Sequence, residues 1–224
     1  MKSRHAVLLI LAIIVVDQIL KIWVKTSMLY QEQIPLIGSW FRLFFIENEG
    51  MAWGWKFGGE WGKMALTLFR LVAVIFGVFY LRSIIRKKYH TGFIVCACMI
   101  FAGALGNLID SLFYGMIFSQ SEVGMPLARL FPPEGGYAGF LHGRVVDMLY
   151  MPVIEDKILP SWIPFWGGDR FTFFSPIFNI ADASISIGVI ALLIFQRKFF
   201  NKHPEKPNAG LETDTPVNDA ARVL

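Results

Sequence analysis

Charge is scarce in this chain. Only 17% of its 224 residues are Asp, Glu, Lys or Arg, against about 25% in an ordinary soluble domain. Hydrophobic residues make up 55% and the mean hydropathy is +0.52, a balance that points to an integral membrane protein. Cysteine is nearly absent. Cys96 and Cys98 are the only two, and at that spacing on a helix they point to different sides, so they read as small packing residues rather than a disulfide. The four histidines, His5, His90, His142 and His203, are scattered, with no HExxH zinc motif and no Ser-His-Asp arrangement. No metal or other cofactor is expected. No internal repeat is visible, which counts against the inverted-repeat transporters.

What the chain does have is apolar length. A helix that crosses a bilayer needs roughly 20 mainly apolar residues. Four stretches qualify, about 6–24, 64–85, 93–110 and 177–195, with Arg70 blurring the start of the second. Lys2 and Arg4 precede the first, Arg82, Arg86, Lys87 and Lys88 cluster between the second and third, and Arg197, Lys198, Lys202 and Lys206 follow the fourth. The connections 25–63 and 111–176 carry no such excess. By the positive-inside rule both termini and the short middle loop are cytoplasmic and the two long loops face outward. The basic clusters are thereby explained by the membrane, and no nucleic-acid partner is expected. The N-terminal run has the outline of a signal peptide, but Asp17-Gln18-Ile19-Leu20-Lys21 stands where a small-residue cleavage site belongs, so a retained helix is expected. The polar segment 201–224 reads as a disordered cytoplasmic tail, leaving 1–200 as one four-helix domain.

Topology gives depth. The first and third spans run outward, which puts Asp17, Lys21, Asn107 and Asp110 near one outer level. The fourth runs inward from Ser175-Pro176, a plausible N-cap with proline in the first turn, so that Asp182 would lie about two turns in, ~10 Å at 1.5 Å per residue. Asn179, Asp182 and Ser186 are spaced i, i+3, i+7 and predict a polar stripe on one helix face; Gly103, Asn107 and Asp110 repeat the pattern. Ala102 and Gly106 form a small-xxx-small pair that admits a neighbouring helix. Asp17 and Lys21 suit an i, i+4 ion pair, and the two asparagines suit interhelical hydrogen bonds. Asp182 has no cation on its own helix, and intramembrane carboxylates of that kind are functional by default.

The outward loops have strand signals. Residues 39–57, SWFRLFFIENEGMAWGWKF, predict short strands or a hairpin. The loop 111–176 contains the strand-like HGRVVDMLY with Asp147. Further on, Trp162, Phe165, Trp166, Phe171, Phe173 and Phe174 read as interfacial aromatics. An aspartate returning to the interface there can meet Asp182. Two close carboxylates do not both ionise readily, so one holds a proton while the other acts as base. Such a pair can deprotonate a water that attacks a peptide carbonyl and then protonate the departing amine.

These pieces resemble the bacterial lipoprotein signal peptidases, or signal peptidase II. The motifs VVDQILK at 15–21, NEGMAW at 48–53, GNLID at 106–110, GRVVDM at 143–148 and FNIADA at 178–183 occur in the family's order. The resemblance implies four transmembrane helices with a small extracytoplasmic β-cradle in the bacterial inner membrane, and a site toward the periplasmic face. It implies an aspartic endopeptidase that cleaves diacylglyceryl-modified prolipoproteins before the lipidated lipobox cysteine. Asp147 and Asp182 would be the catalytic pair. Asn48, Asn107 and Asn179 would line or support the pocket, and Asp17, Lys21 and Asp110 would have more structural roles. Membrane lipid and globomycin-type inhibitors are the further partners implied. Two departures stand out. The arginine that usually follows GNLxD, and helps hold substrate, is Ser111 here, with Arg144 the candidate replacement; and the chain carries long insertions at about 112–140 and 155–174. The competing readings are a small ion transporter using Asp17, Asp110 and Asp182, and a non-catalytic lipoprotein-binding protein.

Overall fold

The computed structural model describes residues 1–48, 59–152, 154–162, 168, 170–173 and 176–200. Four helices are long and apolar enough to cross a membrane: α1 (Ser3–Ser27), α2 (Gly59–Arg86), α3 (Thr91–Ile109) and α4 (Ile180–Phe200). Along α1 the exposed residues Val7, Leu11, Val15 and Ile19 recur at helical spacing, as do Phe69, Val72 and Phe76 on α2 and Ile187, Ile190 and Ile194 on α4. In water such a belt would be an aggregation surface; here it is the face a helix turns to lipid. Cys96 and Cys98 are free and buried.

α1 and α3 run toward a small sheet, while α2 and α4 run away from it. At the far end the chain termini of the bundle meet: the Met1 amino group donates to Thr91 Oγ1 at 3.4 Å, and the His90 ring packs on Phe199. α3 and α4 pack most closely. A Cβ at Gly103 would lie 2.2 Å from the Ala181 carbonyl oxygen, so this crossing requires glycine and not merely a small residue. Gly103→Ala is expected to push the two helices apart, lowering stability by about 1–3 kcal/mol, read as a drop in unfolding temperature in detergent.

The sheet has four antiparallel strands in the order β1-β2-β3-β6: β1 (Gln33–Ile37), β2 (Phe41–Asn48), β3 (Val145–Tyr150) and β6 (Ile177–Phe178). A separate hairpin, β4 (Ile154–Ile158) with β5 (Arg170–Phe173), leaves the sheet between β3 and β6. Arg42 ties it back by an ion pair to Glu155. β3 is buried at nearly every position, as a central strand should be, whereas β1 holds Pro35 and is an exposed edge. The sheet closes on the bundle through Val24, Met28, Leu43, Phe45, Tyr114, Phe118, Val146 and Met148. Lys25 pins the end of α1 to it, paired with Glu47 and lying over the rings of Phe118 and Tyr137.

The predicted hairpin at 39–57 is found as β1–β2, shifted toward the N-terminus; its residues 49–57 lie outside those described, as do the predicted tail 201–224 and Phe165, Trp166 and Phe174. Trp162 is strongly exposed. The fourth span begins later than its apolar run suggests. Ile177 and Phe178 pair with Tyr150 and Leu149 as a strand, and the helix starts at Ile180, so Ser175-Pro176 is not its cap. Ser186 is exposed rather than part of a buried stripe with Asn179, which is fully buried.

Candidate active site

The first four amides of a helix have no partner within it, and inside a membrane they cannot borrow water. α4 begins in that position. Asn179 Oδ1 accepts from the Asp182 amide at 2.8 Å, and Asp182 Oδ2 accepts in return from the Asn179 amide at 3.4 Å, the reciprocal arrangement of a capping box. A third partner comes from α1: Asp17 Oδ1 accepts from the Ala181 amide at 2.9 Å. Asp182 is therefore in the first turn of α4, not two turns in.

Behind this helix start lies a buried cation. Lys21 Nζ reaches Asp17 Oδ2 at 2.9 Å, Asp110 Oδ2 at 2.8 Å and Asn107 Oδ1 at 2.8 Å. An ammonium has three donors, and all are used. Asp17, Lys21 and Asp110 are completely buried, so one ammonium is shared between two carboxylates where solvent cannot reach them. Gln18 completes it, donating to Asp110 Oδ1 at 2.9 Å and accepting from the Tyr114 hydroxyl at 3.1 Å. Gln18 lies within VVDQILK, one residue from Asp17, but a neutral amide among ionisable groups carries no signal of its own in sequence.

The bond from Lys21 has a directional consequence. It fixes Asn107 Oδ1 toward the lysine, so the Asn107 amide nitrogen must face the other way, and there it donates to Asp182 Oδ1 at 2.7 Å. Asn179 is oriented in the same manner. Its oxygen is held by the Asp182 amide, and its nitrogen donates to Asp147 Oδ1 at 2.7 Å, with Asn107 Oδ1 and the Val146 carbonyl also near. Asn48, at the end of β2, donates to the other oxygen of Asp147. One chain of oriented amides thus runs from Lys21 to both Asp182 and Asp147.

β3 delivers Asp147. Its partners in register are Ile46 on β2 and, two residues on, Phe178 against Leu149. The strand is reached because α3 does not end cleanly: it passes into a π-helical turn, Asp110–Tyr114, and a last α-turn, Gly115–Ile117. The wider turn leaves carbonyls to accept from the returning loop, Ser111 from Gly143 N at 2.9 Å and Gly115 from Ala138 N at 2.9 Å. A Cβ at Gly143 would sit 2.0 Å from the Asp110 carbonyl oxygen, so the loop can seat there only as glycine.

The two aspartates differ in surroundings. Asp147 is buried and Asp182 only half-buried. Burial first, and then the charge of Asp182, push the Asp147 carboxyl up to about 8. A pair whose environments drive its members apart in this way can hold one proton and one negative charge at neutral pH.

Of the residues singled out in sequence, the structure gathers Asp17, Lys21, Asn48, Asn107, Asp110, Asp147, Asn179 and Asp182 into one connected network. Arg144 is placed elsewhere. Its guanidinium lies over the Tyr137 ring, 5.6 Å from the centroid, close enough to Lys25 for their charges to oppose. Arg70, from α2, instead reaches the turn that follows α3, its guanidinium nitrogen 3.4 Å from Ser111 Oγ.

The comparisons agree with this architecture. The family described as Signal peptidase (SPase) II matches residues 9–198. A lipoprotein signal peptidase of Porphyromonas gingivalis is 51% identical over 187 residues, covering 83% of this chain and 80% of that protein. One from Amoebophilus asiaticus is 33% identical, covering 94% and 85% respectively. Two solved structures of bacterial membrane enzymes share the fold, with TM-scores of 0.58 at 23% identity and 0.55 at 26% identity. They cover 91% and 88% of this chain, and 94% of each of those chains is matched in turn.

Proposed function

The chain belongs to the signal peptidase II family, and from that premise we propose that it is an aspartic endopeptidase of the bacterial inner membrane acting on diacylglyceryl-modified prolipoproteins. It cleaves before the lipidated lipobox cysteine. The observation that carries the reading is the junction of Asp147 and Asp182 through the oriented amides of Asn179 and Asn107.

The chemistry follows from the asymmetry of the pair. Asp182, the more exposed, is the carboxylate; Asp147 holds the proton. A water between them loses a proton to Asp182 as its oxygen attacks the scissile carbonyl, while Asp147 protonates the carbonyl oxygen. On collapse of the tetrahedral intermediate the C–N bond breaks, Asp182 passes its proton to the departing amine, and Asp147 recovers its own. Asn48, Asn107 and Asn179 hold the carboxyl groups in place. Asp17, Lys21 and Asp110 hold the asparagines and the start of α4.

Lys2, Arg4, Arg86, Lys87, Arg197 and Lys198 belong to the helix ends away from the sheet, so that end and both termini are cytoplasmic and the site opens to the periplasmic face. A lipid-anchored substrate arrives from the surrounding bilayer, and globomycin-type inhibitors would occupy the same place. The enzymatic domain falls within residues 1–200.

The test is cleavage of a diacylglyceryl-modified prolipoprotein by purified protein in detergent, with Asp147→Asn and Asp182→Asn alongside. Failure of the wild type to cleave refutes the peptidase; normal cleavage by both folded variants refutes the aspartyl mechanism. A pH profile adds a second check. Activity requires the proton on Asp147, so the rate should fall as pH rises through about 8, and a flat alkaline limb to pH 9 or so would contradict the assignment.

A further inference from the structure

One face of α2 turns inward, marked by Lys63, Thr67 and Val74, all buried, at helical spacing. Thr67 anchors it, donating from Oγ1 to the Leu141 carbonyl at 3.1 Å, in the loop just before β3. Arg70 is one turn further along the same face. Its guanidinium nitrogen lies 3.4 Å from Ser111 Oγ, and Ser111 is itself held by the Asn107 carbonyl at 3.0 Å. The side-chain nitrogen of that same Asn107 donates to Asp182 Oδ1 at 2.7 Å, which links Ser111 to the pair. Lys21 is occupied with Asp17, Asp110 and Asn107.

Ser111 is the position at which the family pattern usually carries arginine. The serine hydroxyl there is the group that the Arg70 guanidinium meets from α2. We propose that Arg70 is the substrate-positioning residue of this enzyme: from α2 it sets a guanidinium beside the aspartate pair, replacing in space the arginine that Ser111 replaces in sequence, and donates to main-chain carbonyls of the entering signal peptide. This rests on the reading of Asp147 and Asp182 as the catalytic pair. A planar guanidinium suits the task because its fork of donors has fixed directions, which an ammonium lacks. Arg144 does not compete, since it is committed to Tyr137.

Steady-state cleavage of a diacylglyceryl-modified prolipoprotein separates the outcomes. A charge-assisted hydrogen bond corresponds to roughly 10- to 100-fold, so Arg70→Gln should lose about that factor in kcat/KM, chiefly through KM, with its unfolding temperature kept. Arg70→Lys should retain several-fold more activity than Arg70→Gln. The exchange variant Arg70→Ser with Ser111→Arg should recover well above Arg70→Ser alone, because it returns the guanidinium to the same space from the other helix. Wild-type activity in Arg70→Gln, or an exchange variant that folds but is no better than Arg70→Ser, would overturn the proposal. If the exchange variant does not fold, equal activity in the lysine and glutamine variants overturns it by itself. Asp182→Asn run in parallel distinguishes the two levels. If it still cleaves, the catalytic pair is wrong; if it is inactive while Arg70→Gln is normal, only the role of Arg70 is wrong.

Discussion

Asp147→Asn should lower the cleavage rate by about 10³-fold, within the 10²–10⁴ range for a general acid, and should also remove a loss of stability that the wild type suffers as pH rises. The two effects have one cause. Asp147 is buried beside Asp182, which pushes its carboxyl up from 3.8 to about 8. Between those values the folded protein holds a proton that the unfolded chain releases, so folded stability declines as pH rises across the window. Each unit corresponds to about 1.4 kcal/mol. Asparagine has the shape of the protonated acid and no such slope. Thermal unfolding in detergent at pH 5 and pH 8 should therefore show the variant gaining on the wild type at the higher pH. A variant that is inactive and less stable at both would mean that Asp147 is a structural acceptor for Asn48 and Asn179 rather than a strained acid.

Lys21→Met should have the largest effect on folding. The substitution keeps the length of the side chain and removes the cation from between Asp17 and Asp110, each completely buried. Removing one partner from a buried ion cluster typically destabilises by about 3–5 kcal/mol, a large part of the ~5–15 kcal/mol that holds a domain together. Little folded protein should be recovered. Adding Asp17→Asn and Asp110→Asn should restore much of the folding, since a wholly neutral replacement is often close to neutral in energy. Activity should stay low even then, because Asn107 Oδ1 keeps only the 3.1 Å bond from Asn179 and loses the shorter one from Lys21 that orients it toward Asp182. If Lys21→Met alone unfolds at the wild-type temperature, the cluster is not what holds the start of α4.

The parts that were legible in sequence were those with a strong one-dimensional signal. Apolar length gave the helices, and the acid–base pair of Asp17 and Lys21 gave the first half of the buried cluster. The start of α4 was not legible, because Ile177 and Phe178 are as apolar as the helix that follows and only pairing with β3 makes them a strand. Ser175-Pro176 has the local preference of a cap, and that preference carries no knowledge of the pairing. Arg144 is the candidate replacement in sequence because it is three residues from Asp147, whereas Arg70 meets Ser111 only once α2 packs against α3.

The two-residue strand β6 has a consequence for how this enzyme can change. Asp147 and Asp182 are 35 positions apart, yet the distance between them is set by Leu149 and Tyr150 pairing with Phe178 and Ile177. Everything between those pairs, including the β4–β5 hairpin, is a side branch. The segment before β3 is likewise closed at its base, where Gly143 bonds to the Ser111 carbonyl in the π-turn and Ala138 to the Gly115 carbonyl just after it. Both branches can lengthen, shorten or exchange composition without moving the aspartates, so the periphery is free to follow its substrates while the spacing of the pair stays as it is.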